Sequence, residues 1–214
     1  MLDRLLFSAA AAVARLRHAR VMHPRGRSFS GELAVRRPEV PFGAGLLDRP
    51  ARYRATVRLS KGTPTPRGWP DVLGLAVRVH TRRGPRDLLL SSSGARPLLR
   101  HLFLPRRRVN GFYGSLAGYR TRRHGRLFLG AALDTGRREA ILMAATRFGR
   151  WRPFARLRVG RGLSRRFDTR LAFDPIGNTA PDLRPVGVIQ RLRGPVYRGS
   201  QRGRKHRLPL TLLR

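Results

Sequence analysis

Asp71-Val72-Leu73-Gly74-Leu75-Ala76-Val77-Arg78-Val79-His80 is the stretch whose reading decides the fold. Leu75, Val77 and Val79 alternate with Ala76, Arg78 and His80, the period-two pattern of a strand with one buried face. Upstream, Tyr53, Ala55, Val57 and Leu59 alternate with Arg54, Thr56, Arg58 and Ser60, and downstream 86–91 forms a third short run. Pro and Gly clusters at 61–70 and 82–85 separate these runs as turns. Further strands are expected at about 126–133, 139–148, 154–160 and 167–173. Residues 95–104 read as a helix carrying Leu98, Leu99, Leu102 and Phe103, and 105–126 as an irregular basic segment. A turn-rich connector over 174–185 precedes a helix from near Pro185 to Arg193, with a second short one after Pro195. Seven or eight short strands flanked by helices predict an α+β protein built on an antiparallel β-barrel.

The 214 residues suit one medium domain, and a 41% hydrophobic content supports a single sizeable core. The formal net charge of +36 would ordinarily point to nucleic acid or an anionic membrane. Yet Lys61 and Lys205 are the only lysines among 47 basic residues. Such an arginine skew, with abundant Ala, Gly and Pro, fits a genome favouring GC-rich codons and weakens charge as a guide to function. Non-specific binding to polyanions at low salt is expected regardless. With no cysteine in the chain, disulfides, thiolate chemistry and iron–sulfur clusters are excluded.

Four further motifs stand in order around the central strand. Arg20-Val21-Met22-His23-Pro24-Arg25-Gly26 comes first, then Arg58-Leu59-Ser60, then, after the central strand, Asp87-Leu88-Leu89-Leu90-Ser91. Arg193-Gly194-Pro195-Val196-Tyr197 comes last, with Arg204 seven residues beyond the tyrosine. Together with Asp71, Gly74, Ala76 and Val77, this order resembles the core of the haem-dependent catalase-like superfamily, whose own core is an antiparallel barrel. The likeness runs well over 20–91 and less closely over 193–204, while 95–182 matches only in strand content.

The resemblance implies a minimal, catalase-like haem protein with haem b held by a tyrosinate. Tyr197 stands at the iron-ligand position. A phenol has an ordinary pKa of about 10, so its phenolate form wants a nearby cation, and Arg193 precedes it by one helical turn. Pro195 interrupts that turn and is a departure from a regular helix. Arg20, Arg58 and Arg204 stand at the family's propionate positions, where a guanidinium fork suits a carboxylate. His23 stands at the distal position, from which a neutral imidazole takes a proton from peroxide and returns it to the leaving oxygen. Ser91 stands where catalases carry an asparagine that orients peroxide. A serine donates from a shorter, freely rotating hydroxyl, so weaker peroxide disproportionation or turnover of an organic hydroperoxide is expected. The chain is much shorter than ordinary catalases, which implies a more open pocket; a homo-oligomer is compatible with this reading.

Competing readings are a non-catalytic protein on the same fold and a basic nucleic-acid binder. For the latter, 106–108, 120–126 and 198–207 are arginine-rich, with Phe112, Tyr113 and Tyr119 available to stack on bases. A metal-dependent phosphoesterase would want clustered acids and histidines, which are sparse here, and a serine hydrolase would want a Gly-x-Ser-x-Gly elbow. Residues 1–18 carry Leu2, Leu5, Leu6, Ala9, Val13 and Leu16 at helical spacing and read as an amphipathic arm ahead of a 19–214 barrel domain. That arm implies a cytoplasmic protein. The same residues also read as a signal peptide for export, with 5–14 as the apolar stretch and Ala12-Val13-Ala14 as a cleavage site. No stretch is apolar for long enough to span a membrane as a helix.

Overall fold

The computed structural model describes residues 25–63, 65–66 and 68–186. In chain order the elements are β1 (Gly26–Val35), α1 (Gly45–Asp48), β2 (Ala51–Lys61), β3 (Leu73–Thr81), β4 (Gly84–Ser92), β5 (Gly111–Gly114) and β6 (Gly118–Arg120). They continue with β7 (Leu127–Asp134), β8 (Glu139–Thr146), β9 (Arg152–Gly162), α2 (Arg165–Arg170) and β10 (Arg184–Val186). Hydrogen-bonded neighbours follow the order β7-β5-β4-β3-β2-β1-β9-β8, and β8 pairs back onto β7. Every one of these pairings is antiparallel, so the eight strands close into a barrel with no open edge. The short β6 and β10 lie outside the ring, attached through Tyr119 opposite Leu127.

The alternation read from the sequence decides which face points inward. Leu59, Leu75 and Leu90 oppose one another across β2, β3 and β4, as do Val57, Val77 and Leu88. Val57, Val77, Leu75, Leu90, Leu33, Leu129, Leu142 and Leu157 are buried in one core cluster. Each such side chain contributes about 1.5–3 kcal/mol relative to exposure. Gly31 marks a close approach on the inner face: a Cβ there would come 2.8 Å from the Arg158 carbonyl oxygen and 3.0 Å from Val57 Cγ2. The β1–β9 register shifts at that same place.

Asp71 forms the turn ahead of β3. Its carboxylate, 4% exposed, accepts the Thr63 amide and the Thr63 and Thr65 hydroxyls. Its backbone pairs with Arg106. A buried carboxylate at this position is stable because the loop returns three hydrogen-bond donors to it.

Several local expectations are corrected. Residues 167–173 are not a strand: Ser164 caps α2 by accepting the Phe167 amide at 3.2 Å, and the helix ends at Arg170. Over 95–104 only Leu99–His101 is helical, as a single 3-10 turn, since the segment is held by Arg100 to neighbouring loops. The 105–126 segment contains two strands rather than none. Arg184–Val186 pairs as β10 instead of starting a helix. The 1–18 arm and the helices expected after 186 lie outside the described residues, and among the described residues no helix is long and apolar enough to cross a membrane.

Candidate functional site

Residues that pair across an antiparallel sheet project to the same face. On the outer wall of the barrel, Gly26, Ser60, Gly74, Ser91 and Gly114 fall in one continuous row across β1 to β5. The adjacent row is Ser28, Arg58, Ala76 and Leu89. Arg58, Ser60, Gly74, Ala76 and Ser91, separated by up to 33 positions in the chain, therefore share one patch. The row is narrow by construction, because three of its five members lack a side chain. Gly26 is required there: a Cβ would lie 2.8 Å from the Arg58 guanidinium carbon and 2.6 Å from the Leu59 carbonyl oxygen.

Arg58 is 3% exposed. Its Nε donates to Asp168 Oδ1 at 2.9 Å and its Nη2 to Oδ2 at 3.4 Å, while the buried Ser28 hydroxyl donates to Asp168 Oδ1 at 2.5 Å. Asp168 rides on α2, so this cluster docks the helix against β1 and β2. Beside it opens a cleft of about 560 Å³ lined by Arg25, Arg27, Ser28, Leu163, Arg165 and Asp168. Three arginines against one already paired carboxylate make the cleft electropositive, suited to an anionic group.

A second pair sits one row further along. Arg78 grips Asp87 through Nε to Oδ1 at 2.7 Å and Nη2 to Oδ2 at 2.6 Å. Asp87 also accepts the Asp174 amide and the Asn178 side-chain amide, and Arg78 donates to the Ala172 carbonyl. The aspartate of the Asp-Leu-Leu-Leu-Ser motif thus ties the connector after α2 to the barrel wall. His80 meets Thr56 Oγ1 at 2.9 Å. Burial, then the Arg78 charge, pull its pKa below the ordinary 6.5 against the opposing pull of Asp87. His101, edge-on to Phe128 at 4.6 Å, is lowered likewise, first by burial and then by Arg100, Arg147 and Arg126.

Of the residues picked out from the sequence, Arg58 and Ser91 lie in this patch. Ser91 is 7% exposed, at the end of β4. Arg20, His23, Arg193, Tyr197 and Arg204 lie outside the described residues. Sequence reasoning missed Asp168 and Ser28. Asp168 carries a signal in retrospect, as one of only 11 acids facing 47 basic residues. The aromatic residues offered for base stacking are otherwise engaged: Tyr113 and Tyr119 are core residues at 1% and 3% exposure, and Phe112 packs on Trp151 at 4.9 Å. Burial pushes the Tyr113 phenol up to about 12.

No family model and no curated protein matches the sequence. In shape the chain is similar to catalase A from Saccharomyces cerevisiae, with a TM-score of 0.65 and 11% identity over 91% of this chain. The barrel is therefore catalase-like in fold, and this chain spans 64% of the length of that protein.

Two outcomes follow from the geometry. Asp168→Ala removes the carboxylate that faces a buried guanidinium and is expected to destabilise the fold by up to about 3–5 kcal/mol in urea unfolding, whereas Arg58→Met with Asp168→Leu loses far less. Because the folded pKa values of His80 and His101 lie below 6.5, the stability they contribute is complete above that value. It declines as pH falls toward about 5, where the unfolded chain takes up protons that the folded one resists. Urea midpoints measured across that range check the sign, and His101→Gln should flatten the slope.

Proposed function

We propose that the protein is a haem-binding, catalase-like oxidoreductase acting on hydrogen peroxide or an organic hydroperoxide. One observation carries the reading. Arg58, Ser60, Gly74, Ala76 and Ser91, quoted from separate motifs, fall in adjacent register rows on one wall of a catalase-like barrel. A chance collection of short matches has no reason to share a face.

The donor chemistry of the described residues fits the acidic edge of haem. Arg25, Arg27 and Arg165 line the cleft beside Arg58, and Asp168 is the one acid among its lining residues. Asp168 engages the Arg58 guanidinium through Nε and Nη2 and so fixes its orientation. In this reading Arg20, Arg58 and Arg204 hold the propionates, and Tyr197 is the iron ligand, its phenolate form favoured by Arg193. A bound haem supplies the redox-active iron that peroxide chemistry needs. His23, as a neutral imidazole, takes a proton from the peroxide and delivers it to the departing oxygen. Ser91 donates a hydrogen bond that turns the peroxide toward the imidazole, over a shorter reach than an asparagine amide has. Where that reach falls short, the same assembly binds haem without turnover. A homo-oligomer and a cytoplasmic location accompany the reading, as expectations from the sequence.

Haem-loaded protein tests it through peroxide consumption. His23→Ala should lower turnover by about 10²–10⁴-fold. Ser91→Asn should raise it for hydrogen peroxide more than for a bulky hydroperoxide. Equal rates in all three proteins would remove His23 and Ser91 from the mechanism.

A further inference from the structure

We infer that the loops over 95–104 and 147–151 form a docking surface for an anionic lipid bilayer, independently of the peroxide reading. Leu98, Leu102, Phe103 and Phe148 are 76%, 53%, 49% and 67% exposed, and Leu99 joins them at 40%. Apolar exposure this concentrated on neighbouring turns differs from scattered surface leucines and marks an interaction site.

The two loops are built as one platform. Arg100, 2% exposed, donates from Nη1 to the Thr146 carbonyl at 2.7 Å and from Nη2 to the Gly149 carbonyl at 3.0 Å. Its guanidinium lies 4.5 Å from the Trp151 ring, and Trp151 Nε1 donates to the Ala95 carbonyl at 2.6 Å. An arginine that could have reached solvent is spent holding the loops together, with their apolar side chains turned outward.

Charge selects the occupant. Arg96, Arg107, Arg108, Arg147 and Arg150 are exposed on or beside the platform. No acidic residue occurs over 88–133 or 140–167. A second copy of the chain would set like charges face to face, and residues 1–18, with Arg4, Arg15 and Arg17 against Asp3, would do the same. Nucleic acid would satisfy the arginines and leave three leucines with nothing to stack on. An anionic bilayer satisfies both: headgroups meet the arginine rim while leucine and phenylalanine enter the acyl boundary.

The absence of cysteine makes the test clean. Leu98→Cys in the full chain carries a polarity-sensitive nitrobenzoxadiazole probe. A control probe sits at Arg83→Cys, in the turn ahead of β4, whose length of about 27 Å separates it from the platform end of the strand. With vesicles of phosphatidylcholine and about one-third phosphatidylglycerol at about 0.15 M salt, the Leu98 probe should shift to the blue and brighten. The control probe should not. The triple change Leu98→Ser, Leu102→Ser and Phe103→Ser should lower vesicle partitioning at least about tenfold with an unchanged circular-dichroism spectrum. Vesicle binding that leaves the probe unmoved and the triple variant unaffected would reduce the interaction to net charge and overturn the inference. A probe already in an apolar setting without lipid, or an oligonucleotide whose binding the triple variant weakens equally, would overturn it too.

Discussion

A guanidinium buried in the barrel wall must have its charge compensated, and that requirement organises the described site. Arg58 is nearly inaccessible, and the Asp168 carboxylate is brought to it by α2. The Arg78–Asp87 pair, with Asp87 fully buried, does the same for the connector that follows. Removing water from either charge alone costs several kcal/mol, so each pair holds only as a unit. The two pairs lie in neighbouring register rows, which places the 164–178 segment against the outer wall and leaves the electropositive cleft at its edge.

Scarcity sharpens this division of labour. With 11 acids in the chain, the acids nearest the barrel serve architecture. Asp48 accepts the amides of Phe42, Gly43 and Ala44, Asp182 accepts that of Gly45, and Asp174 those of Ile176 and Gly177. Asp71 closes the turn before β3. Arginines on the cleft rim and on the 95–104 and 147–151 platform are left facing outward, so the positive surface is uneven in meaning. Part of it faces an anion-sized cleft, and part frames apolar side chains. Neither would be distinguishable from codon bias by counting charges.

The barrel was legible because alternation survives in Tyr53 to Ser60 and Leu75 to His80, where the inner face is aliphatic apart from Tyr53. The 167–173 segment alternates just as cleanly, yet 167–170 fold within α2 and 171–173 are neither helix nor strand, since a Ser164 cap and the Arg58 charge outweigh a period-two pattern of only a few residues. β1 carries Gly, Ser and Glu outward with Phe29 and Leu33 inward, a weak pattern next to an arginine-rich start. The site was half legible. The order of motifs that resembles the catalase-like core picked out Arg58 and Ser91, and the register of β2 to β4 puts both on one wall of the barrel. The pairing of Asp168 with Arg58 was not legible, because the two lie 110 positions apart and the fold alone brings them together.

The central claim of the proposed function is that a phenolate at Tyr197 binds ferric haem. Titrating the purified protein with ferric haem, and following visible absorption, measures this directly. Saturable one-to-one binding is expected, with the spectrum of a tyrosinate-ligated iron that is lost in Tyr197→Phe. Unsaturable uptake, or the same spectrum with and without the hydroxyl, would contradict it.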